Sequence, residues 1–225
     1  MYIEERIPGE SGRDYAYRTI RSNIVSRELK PGMMLSEKEI ADQLGLSRTP
    51  VREAMIELAR TKIIDVLPQR GSRVSYIDYN LVEEADFVRA TLEKAVVELA
   101  CDLRTDRDIR ELQENLVLQE FYLTNPEHIR VLELDNEFHK KLFQITGKME
   151  AYMMMDSLCV HFDRVRDLSI GTVKDKKIVA DHRKIAEAVE KRDKAQAVAA
   201  IAEHLERFKL DEDAIRASYP DFFEK

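Results

Sequence analysis

Ser36-Glu37-Lys38-Glu39-Ile40-Ala41-Asp42-Gln43-Leu44-Gly45-Leu46-Ser47-Arg48-Thr49-Pro50-Val51-Arg52-Glu53-Ala54 decides the fold of the first third of the chain. Two helix signatures flank one glycine. Ser36 with Glu39 has the spacing of a capping box, in which a hydroxyl and a carboxylate satisfy free first-turn amides reciprocally. Gly45 follows the last apolar residue of that helix, where a left-handed residue ends the run with no Cβ penalty. Ser47 can cap the next helix, about 47–61, with Pro50 tolerated in its first turn. Ile40, Ala41, Leu44, Leu46, Val51, Ala54, Met55 and Leu58 supply the pair with a small core.

Upstream, Tyr17, Ile20, Ile24, Val25 and Leu29 fall near helical spacing, which predicts a helix over about 13–28, stopped by Lys30-Pro31-Gly32. Residues 1–12, with Pro8, Gly9, Ser11 and Gly12, read as a frayed start. Downstream, two β-like runs, Ile63–Leu67 and Ser72–Ile77, are joined by the turn Pro68-Gln69-Arg70-Gly71. Three short helices, a glycine turn and a hairpin in this order make a winged helix-turn-helix pattern. In that arrangement the N-terminal part of the recognition helix meets base edges in the major groove. Arg48 and Arg52 are four apart, so they project from one face, and each can donate two hydrogen bonds to guanine. Thr49 can touch phosphate or a thymine methyl, Lys38 the backbone, and Arg70 with Gly71 the adjacent minor groove. The plainer reading of the two Arg is solvated surface charge, but the glycine turn, capped helices, paired Arg and hairpin in the right order favour DNA.

The 225 residues allow one or two domains at roughly 100–200 residues each. Seven Gly and six Pro are too few for the many tight turns of a β-sandwich, which favours a helix-rich fold. The two cysteines, Cys101 and Cys159, make no disulfide framework, which fits a cytoplasmic protein. The start lacks the basic-then-apolar pattern of a signal peptide, and no apolar run is long enough for a membrane span. The net charge of −7 is unevenly spread. Residues 1–77 hold 13 Lys and Arg against 11 Asp and Glu, and the remainder holds 23 against 32. A mildly basic module, 1–77, is therefore joined to an acidic one, 78–225.

Beyond residue 78 the pattern is helical to the end. We expect six helices, near 80–102, 105–124, 127–146, 149–169, 174–191 and 193–217. Breaks fall at Thr105 with Asp106, Asn125-Pro126, Gly147, Gly171 and Arg192-Asp193. The fold class is mainly α: an N-terminal winged helix-turn-helix plus a C-terminal all-α six-helix bundle. Leu81, Ala85, Val88, Leu92, Val96 and Leu99 form an apolar stripe on the first of these helices. Met153-Met154-Met155 read as core packing. Polar residues interrupt other stripes. Asp135 and His139, at i and i+4, share a face with Val131, Phe138 and Leu142. His182 lies with Ile178, Ile185 and Val189, and His204 with Ala197, Ile201, Leu205 and Phe208. Inward polar groups are costly unless paired or coordinated. One Asp and three His suit a divalent transition metal, with zinc or nickel first. Spacing alone leaves plainer readings open. Asp135 and His139 fit a surface pair, and His182 and His204 fit satisfied core histidines. His161 also follows a stripe with Leu158, Val165 and Leu168, so helical phase does not select the set.

The quoted stretch, together with Leu29-Lys30-Pro31-Gly32 and Pro68-Gln69-Arg70-Gly71-Ser72-Arg73-Val74, resembles the GntR family of bacterial transcription regulators. The resemblance implies DNA contacts by Lys38, Arg48, Thr49, Arg52, Arg70 and Gly71. The second module resembles the FCD ligand-binding domain of the FadR subfamily. The resembling pieces are Val88-Arg89-Ala90-Thr91-Leu92-Glu93, Asp135-Asn136-Glu137-Phe138-His139, Asp181-His182 and His204-Leu205. Six helices look like the VanR-type branch. The resemblance implies a metal on Asp135, His139, His182 and His204, and a small organic acid as effector beside it. Arg89 matches a family arginine near that cavity, although a structural pair with Glu93 at i+4 is an equal reading. Most such proteins repress and release DNA on binding the metabolite. Two reading heads related by a two-fold axis would recognise a short palindrome, so a homodimer is expected.

The expected function is therefore a ligand-responsive regulator of double-stranded DNA, acting as a repressor, with no membrane partner. In a competing reading the metal itself is the signal. A metal-dependent hydrolase would need a general acid or base beside an open position. Glu137 and His161 are the candidates, and neither has a supporting motif, so no enzyme is expected.

Overall fold

The computed structural model describes residues 1–123, 128–170, 177–206 and 212–223. The expected breaks at Asn125-Pro126 and Gly171 and the side chains of His128 and Phe208 lie outside the described residues. The chain forms two compact units. One comprises Met1–Val82, Val160–Val165 and Glu212–Lys225, and the other Glu83–Cys159 and Arg166–Asp211.

The first unit opens with α1 (Gly12–Val25), β1 (Met34–Leu35), α2 (Glu37–Leu44) and α3 (Arg48–Arg60). β2 (Ile64–Leu67) and β3 (Gly71–Val74) follow. Ser36 Oγ accepts from the Glu39 amide at 3.3 Å, as a capping serine does. Gly45 ends α2 at φ +66°, and the Leu46 amide donates back to the Ala41 carbonyl at 3.0 Å. Ser47 takes the N-cap backbone conformation of α3, but its hydroxyl makes no capping hydrogen bond. The strands form an antiparallel sheet in the order β1-β3-β2, with Asp65 opposite Arg73 and Leu67 opposite Gly71. The wing is shorter than the expected 63–67 and 72–77, and β1 is an addition that sequence reading missed. A two-residue strand has too little alternation to register as a pattern. Ala16, Ile20, Ile24, Val51, Ala54 and Leu58 form the unit's interior. Val160 of the long helix α7 (Met149–Ile170) joins it. His161 Nε2 lies 2.6 Å from the Thr61 carbonyl oxygen.

The expected frayed start is ordered instead. Tyr2 and Asn23 exchange two hydrogen bonds, 2.6 and 2.8 Å long. Arg18 binds Glu10 at 2.9 Å and also contacts Glu4. Pro and Gly marked a loop correctly, but an ordered loop needs only partners, not regular structure.

The second unit is built from α4 (Tyr79–Leu103), α5 (Asp106–Leu123), α6 (His128–Ile145), α7, α8 (Lys177–Glu190) and α9 (Lys194–Glu206). Of the expected helix 193–217, the described residues show α9 and, in the first unit, α10 (Glu212–Ser218), and residues 207–211 lie outside the described ones. α8 and α9 form a helical hairpin through Arg192 at φ +59°. The Arg192 guanidinium donates to the carbonyls of Cys101, Asp102 and Arg104, closing the C-terminal end of α4. Phe138, Leu142, Phe143, Leu112, Ile185, Val189 and Ile201 lie at the centre of the core.

The buried face of α4 is rotated from the expected stripe. Val82, Ala85, Arg89, Glu93, Val96, Val97 and Ala100 are buried, and Leu99 is 40% exposed. The stripe counted apolar residues alone, and the inward face includes the charged Arg89 and Glu93. Met155 is buried, but Met153 and Met154 face solvent, so the run is not core packing throughout. No helix among the described residues is long and apolar enough to cross a membrane.

Candidate functional site

In the first unit, α3 presents the residues expected to read DNA. Arg48, Thr49 and Arg52 are exposed on its N-terminal half. Val51, Ala54, Met55 and Leu58 bury the opposite face. Lys38 on α2 and Arg70 and Gly71 at the wing tip are exposed as well. Among the described residues Lys38, Arg48, Arg52 and Arg70 make no ion pair, whereas Arg60 is paired with Glu57 and Arg73 with Asp65. Free cations on one helix face and a wing tip are what a phosphate backbone and guanine edges require. The wing turn places Pro68 before Gln69 at φ +60°, and the Arg70 amide donates to the Leu67 carbonyl at 3.0 Å. Gly71 at φ +94° starts β3, a conformation that favours glycine.

In the second unit, the four expected metal ligands converge. Asp135 and His139 come from α6, His182 from α8 and His204 from α9. All four are buried, and one ligand atom from each lies within 4.8 Å of the others. His139 Nε2 and His182 Nε2 each stand 3.2 Å from His204 Nε2. Asp135 carboxylate oxygens lie 3.7 Å from His139 Nε2 and 3.6 Å from His182 Nε2. Phe138 stacks on the His182 ring, 4.3 Å between centroids and 15° from parallel, and so fixes its plane.

This arrangement fits a divalent ion on two counts. Nitrogens about 2.1 Å from one zinc are about 3.0–3.4 Å apart at octahedral to tetrahedral angles, which brackets the observed spacing. His204 Nε2 cannot serve both facing nitrogens at once by ordinary hydrogen bonding, because a ring nitrogen has one proton or one lone pair. Asp135 Oδ1 is buried with no hydrogen-bond partner. A cation among these atoms would satisfy both the crowded ring nitrogens and the bare carboxylate oxygen.

The electrostatics also suit ligation. Burial opposes a charged Asp135, but Arg166, His139, His182 and Arg89 overcome it and hold the carboxyl far below the usual range. Burial pushes His182 down to about 3, against the pull of Asp135. Burial and the neighbouring His182 and His139 push His204 well below its ordinary value. Both rings are therefore neutral near pH 7, the form that binds a metal.

Arg89 is buried in the same cluster. Its Nε donates to Glu93 Oε1 at 2.7 Å, and its Nη2 lies 3.8 Å from Asp135. Glu93 in turn faces His139 Nδ1 at 2.5 Å. Burial would raise the Glu93 pKa, but His139 and Arg89 pull it to about 2. Sequence reading missed three participants. Arg166 donates to Asp135 Oδ2 at 2.9 Å. Gln119 meets His182 Nδ1 at 2.9 Å. Glu93 was seen only as a partner of Arg89. Gln119 did leave a signal, because it breaks the α5 stripe Ile109, Leu112, Leu116 and Leu123. His161 belongs to the first unit and not to the cluster, so its parallel stripe was not a sign of ligation.

Comparison with known proteins bears on both units. Residues 13–74 match the family described as bacterial regulatory proteins, gntR family, and residues 86–207 match the FCD domain. The HTH-type transcriptional repressor RspR of Escherichia coli K12 is 33% identical over 225 residues, covering 99% of each chain. The Nta operon transcriptional regulator of Aminobacter aminovorans is 32% identical over 139 residues, 60% of this chain and 63% of that one. Among solved structures, E. coli McbR/YncC has a TM-score of 0.81 at 22% identity, covering 93% of this chain and 99% of that one. A GntR transcriptional regulator from Rhodococcus sp. RHA1 has a TM-score of 0.72 at 22% identity, covering 93% of this chain and 100% of that one.

Proposed function

The chain belongs to the gntR family of bacterial regulatory proteins and carries its FCD domain, and on that premise we propose a metal-dependent, ligand-responsive repressor. DNA-binding transcription regulation is the family's activity, and the relatives are regulators rather than enzymes. We place the boundary in the sequence near residue 77, with the reading head before it and the sensing module within 78–225 after it, while Val160–Val165 and Glu212–Lys225 group with the first unit. The head binds double-stranded DNA through Arg48, Thr49 and Arg52 in the major groove, Lys38 on the backbone and Arg70 with Gly71 at the wing. Asp135, His139, His182 and His204 would hold a divalent ion, zinc or nickel first, which would act as a Lewis acid toward a ligand oxygen. The convergence of three Nε2 atoms and a buried carboxylate carries this reading.

The effector is a small carboxylate. Arg89 and Arg166 are buried guanidiniums beside the cluster and favour an anion there. Repression is supported by RspR, which is named a transcriptional repressor. A homodimer on a short palindrome doubles the phosphate contacts of one small head. Phe87 and Phe121, 72% and 58% exposed in the single chain, leave apolar surface for a second copy. The effector must bind the two DNA-binding states with different affinity, or it shifts nothing.

Fluorescence anisotropy on the promoter DNA flanking the protein's own gene tests the scheme, with protein chelated, zinc-loaded, and zinc-loaded with a panel of small carboxylic acids. We expect tight binding by the loaded protein and release by one acid. A change with zinc alone, and none with any acid, would make the metal the signal. Consumption of the acid would make the protein an enzyme.

A further inference from the structure

We propose that Gln119 and Glu93 are positioning residues that select the ring tautomers of His182 and His139, turning a bare Nε2 of each toward the cluster. The inference rests on the metal reading above and adds two residues that supply no ligand atom.

The constraint on His182 starts at a backbone oxygen. The Leu134 carbonyl, one residue before Asp135, can only accept. It receives the Asn115 side-chain amide at 3.0 Å, and Gln119 Nε2 lies 3.4 Å away. Gln119 Nε2 also donates to Asn115 Oδ1 at 2.6 Å. With its nitrogen committed on that side, Gln119 can turn only its Oε1 toward α8. That oxygen lies 2.9 Å from His182 Nδ1, so the ring nitrogen is the donor. A neutral imidazole has one N–H, so His182 Nε2 keeps its lone pair. Gln119 is fully buried, so bulk solvent does not reach these atoms.

His139 is set by a second route. Arg89 donates to Glu93 Oε1, and Glu93 Oε2 lies 2.5 Å from His139 Nδ1. A carboxylate oxygen this close, although off the line of the ring N–H, repels a lone pair on Nδ1 and attracts a proton there, so Nδ1 carries the proton and Nε2 faces inward. Orienting partners of this kind are what tune a metal-ligating histidine. The second unit thus commits α4 and α5, which contribute no ligand, to aiming donors on α6 and α8. Arg89 acts through Glu93 in this arrangement.

The test uses full-length protein with 15N-labelled histidine. Long-range proton–nitrogen correlation spectra of the chelated wild type are expected to show both His182 and His139 as Nδ1–H tautomers. His182 found as Nε2–H would overturn the proposal, whatever the protein does with metal. Gln119→Met removes the acceptor while keeping the volume. It should lose the uniform His182 tautomer and weaken zinc binding about 10–100-fold in competition titrations. Gln119→Glu keeps an oxygen toward Nδ1 and should keep the tautomer, which separates positioning from packing. Unchanged zinc affinity in a folded Gln119→Met protein would also overturn the proposal. Failure of the wild type to bind zinc at all would sink the metal reading instead, and the apo spectrum would still decide the tautomers.

Discussion

Arg48 and Arg52 stand one helical turn apart on an exposed face, and neither has an acidic partner among the described residues. Truncating either removes donors with nothing nearby to replace them. Arg48→Ala and Arg52→Ala should each weaken operator binding by about 1–3 kcal/mol in anisotropy titrations, and an unchanged affinity would displace α3 as the reading helix. The histidines are separated by environment rather than by spacing. His139→Ala and His204→Ala should abolish stoichiometric zinc in elemental analysis of the purified protein. His161→Ala should retain it, since that ring meets the Thr61 carbonyl and not the cluster. His161 and the ligands looked alike in the sequence because each falls on an apolar stripe. A stripe reports that a residue is buried, not which other residues share its pocket.

At the scale of elements, α2 owes each of its ends to a single residue. Gly45 sits at φ +66° with open space where a methyl group would stand, so crowding does not enter and backbone strain alone sets the cost. Gly45→Ala should destabilise the protein by about 1 kcal/mol, read from urea unfolding, because an L-residue resists the left-handed conformation. Ser36→Ala should cost about 1 kcal/mol through the lost cap to the Glu39 amide. These two residues were legible because capping is local chemistry. The phase of α4 was not. Its inward face carries Arg89 and Glu93, which a hydrophobicity count assigns to solvent. Burying that pair is tolerable only because Asp135 and His139, about forty residues later, complete the charges.

For the molecule as a whole, the buried histidines link stability to pH. Burial pushes the His161 pKa below its ordinary 6.5, despite the opposing Thr61 carbonyl. The folded form therefore resists a proton that the unfolded chain accepts. The stability this contributes is full above about pH 6.5 and is lost as pH falls below it. Thermal melts of the chelated protein should show Tm declining from pH 7 to 5, with a shallower decline in His161→Gln. On the proposed metal reading only the assembled cluster binds zinc, so saturating ion should raise the melting temperature. At 100 times Kd the gain is about 2.7 kcal/mol, and the shift should vanish in His204→Ala.

Reading along the chain was enough for the winged helix-turn-helix, the helical second unit and the four candidate ligands. Caps, glycine turns and helical spacing act over a few residues, and the family motifs lie in short continuous runs. The remaining features came from packing in three dimensions. Packing brought α6, α8 and α9 together so that three nitrogens meet, put His161 elsewhere, and turned Arg89 and Glu93 inward. It also recruited Gln119 and Arg166, whose roles depend on partners far away in the chain. Burial and long-range pairing are properties of packed elements, so no window of neighbouring residues contains them.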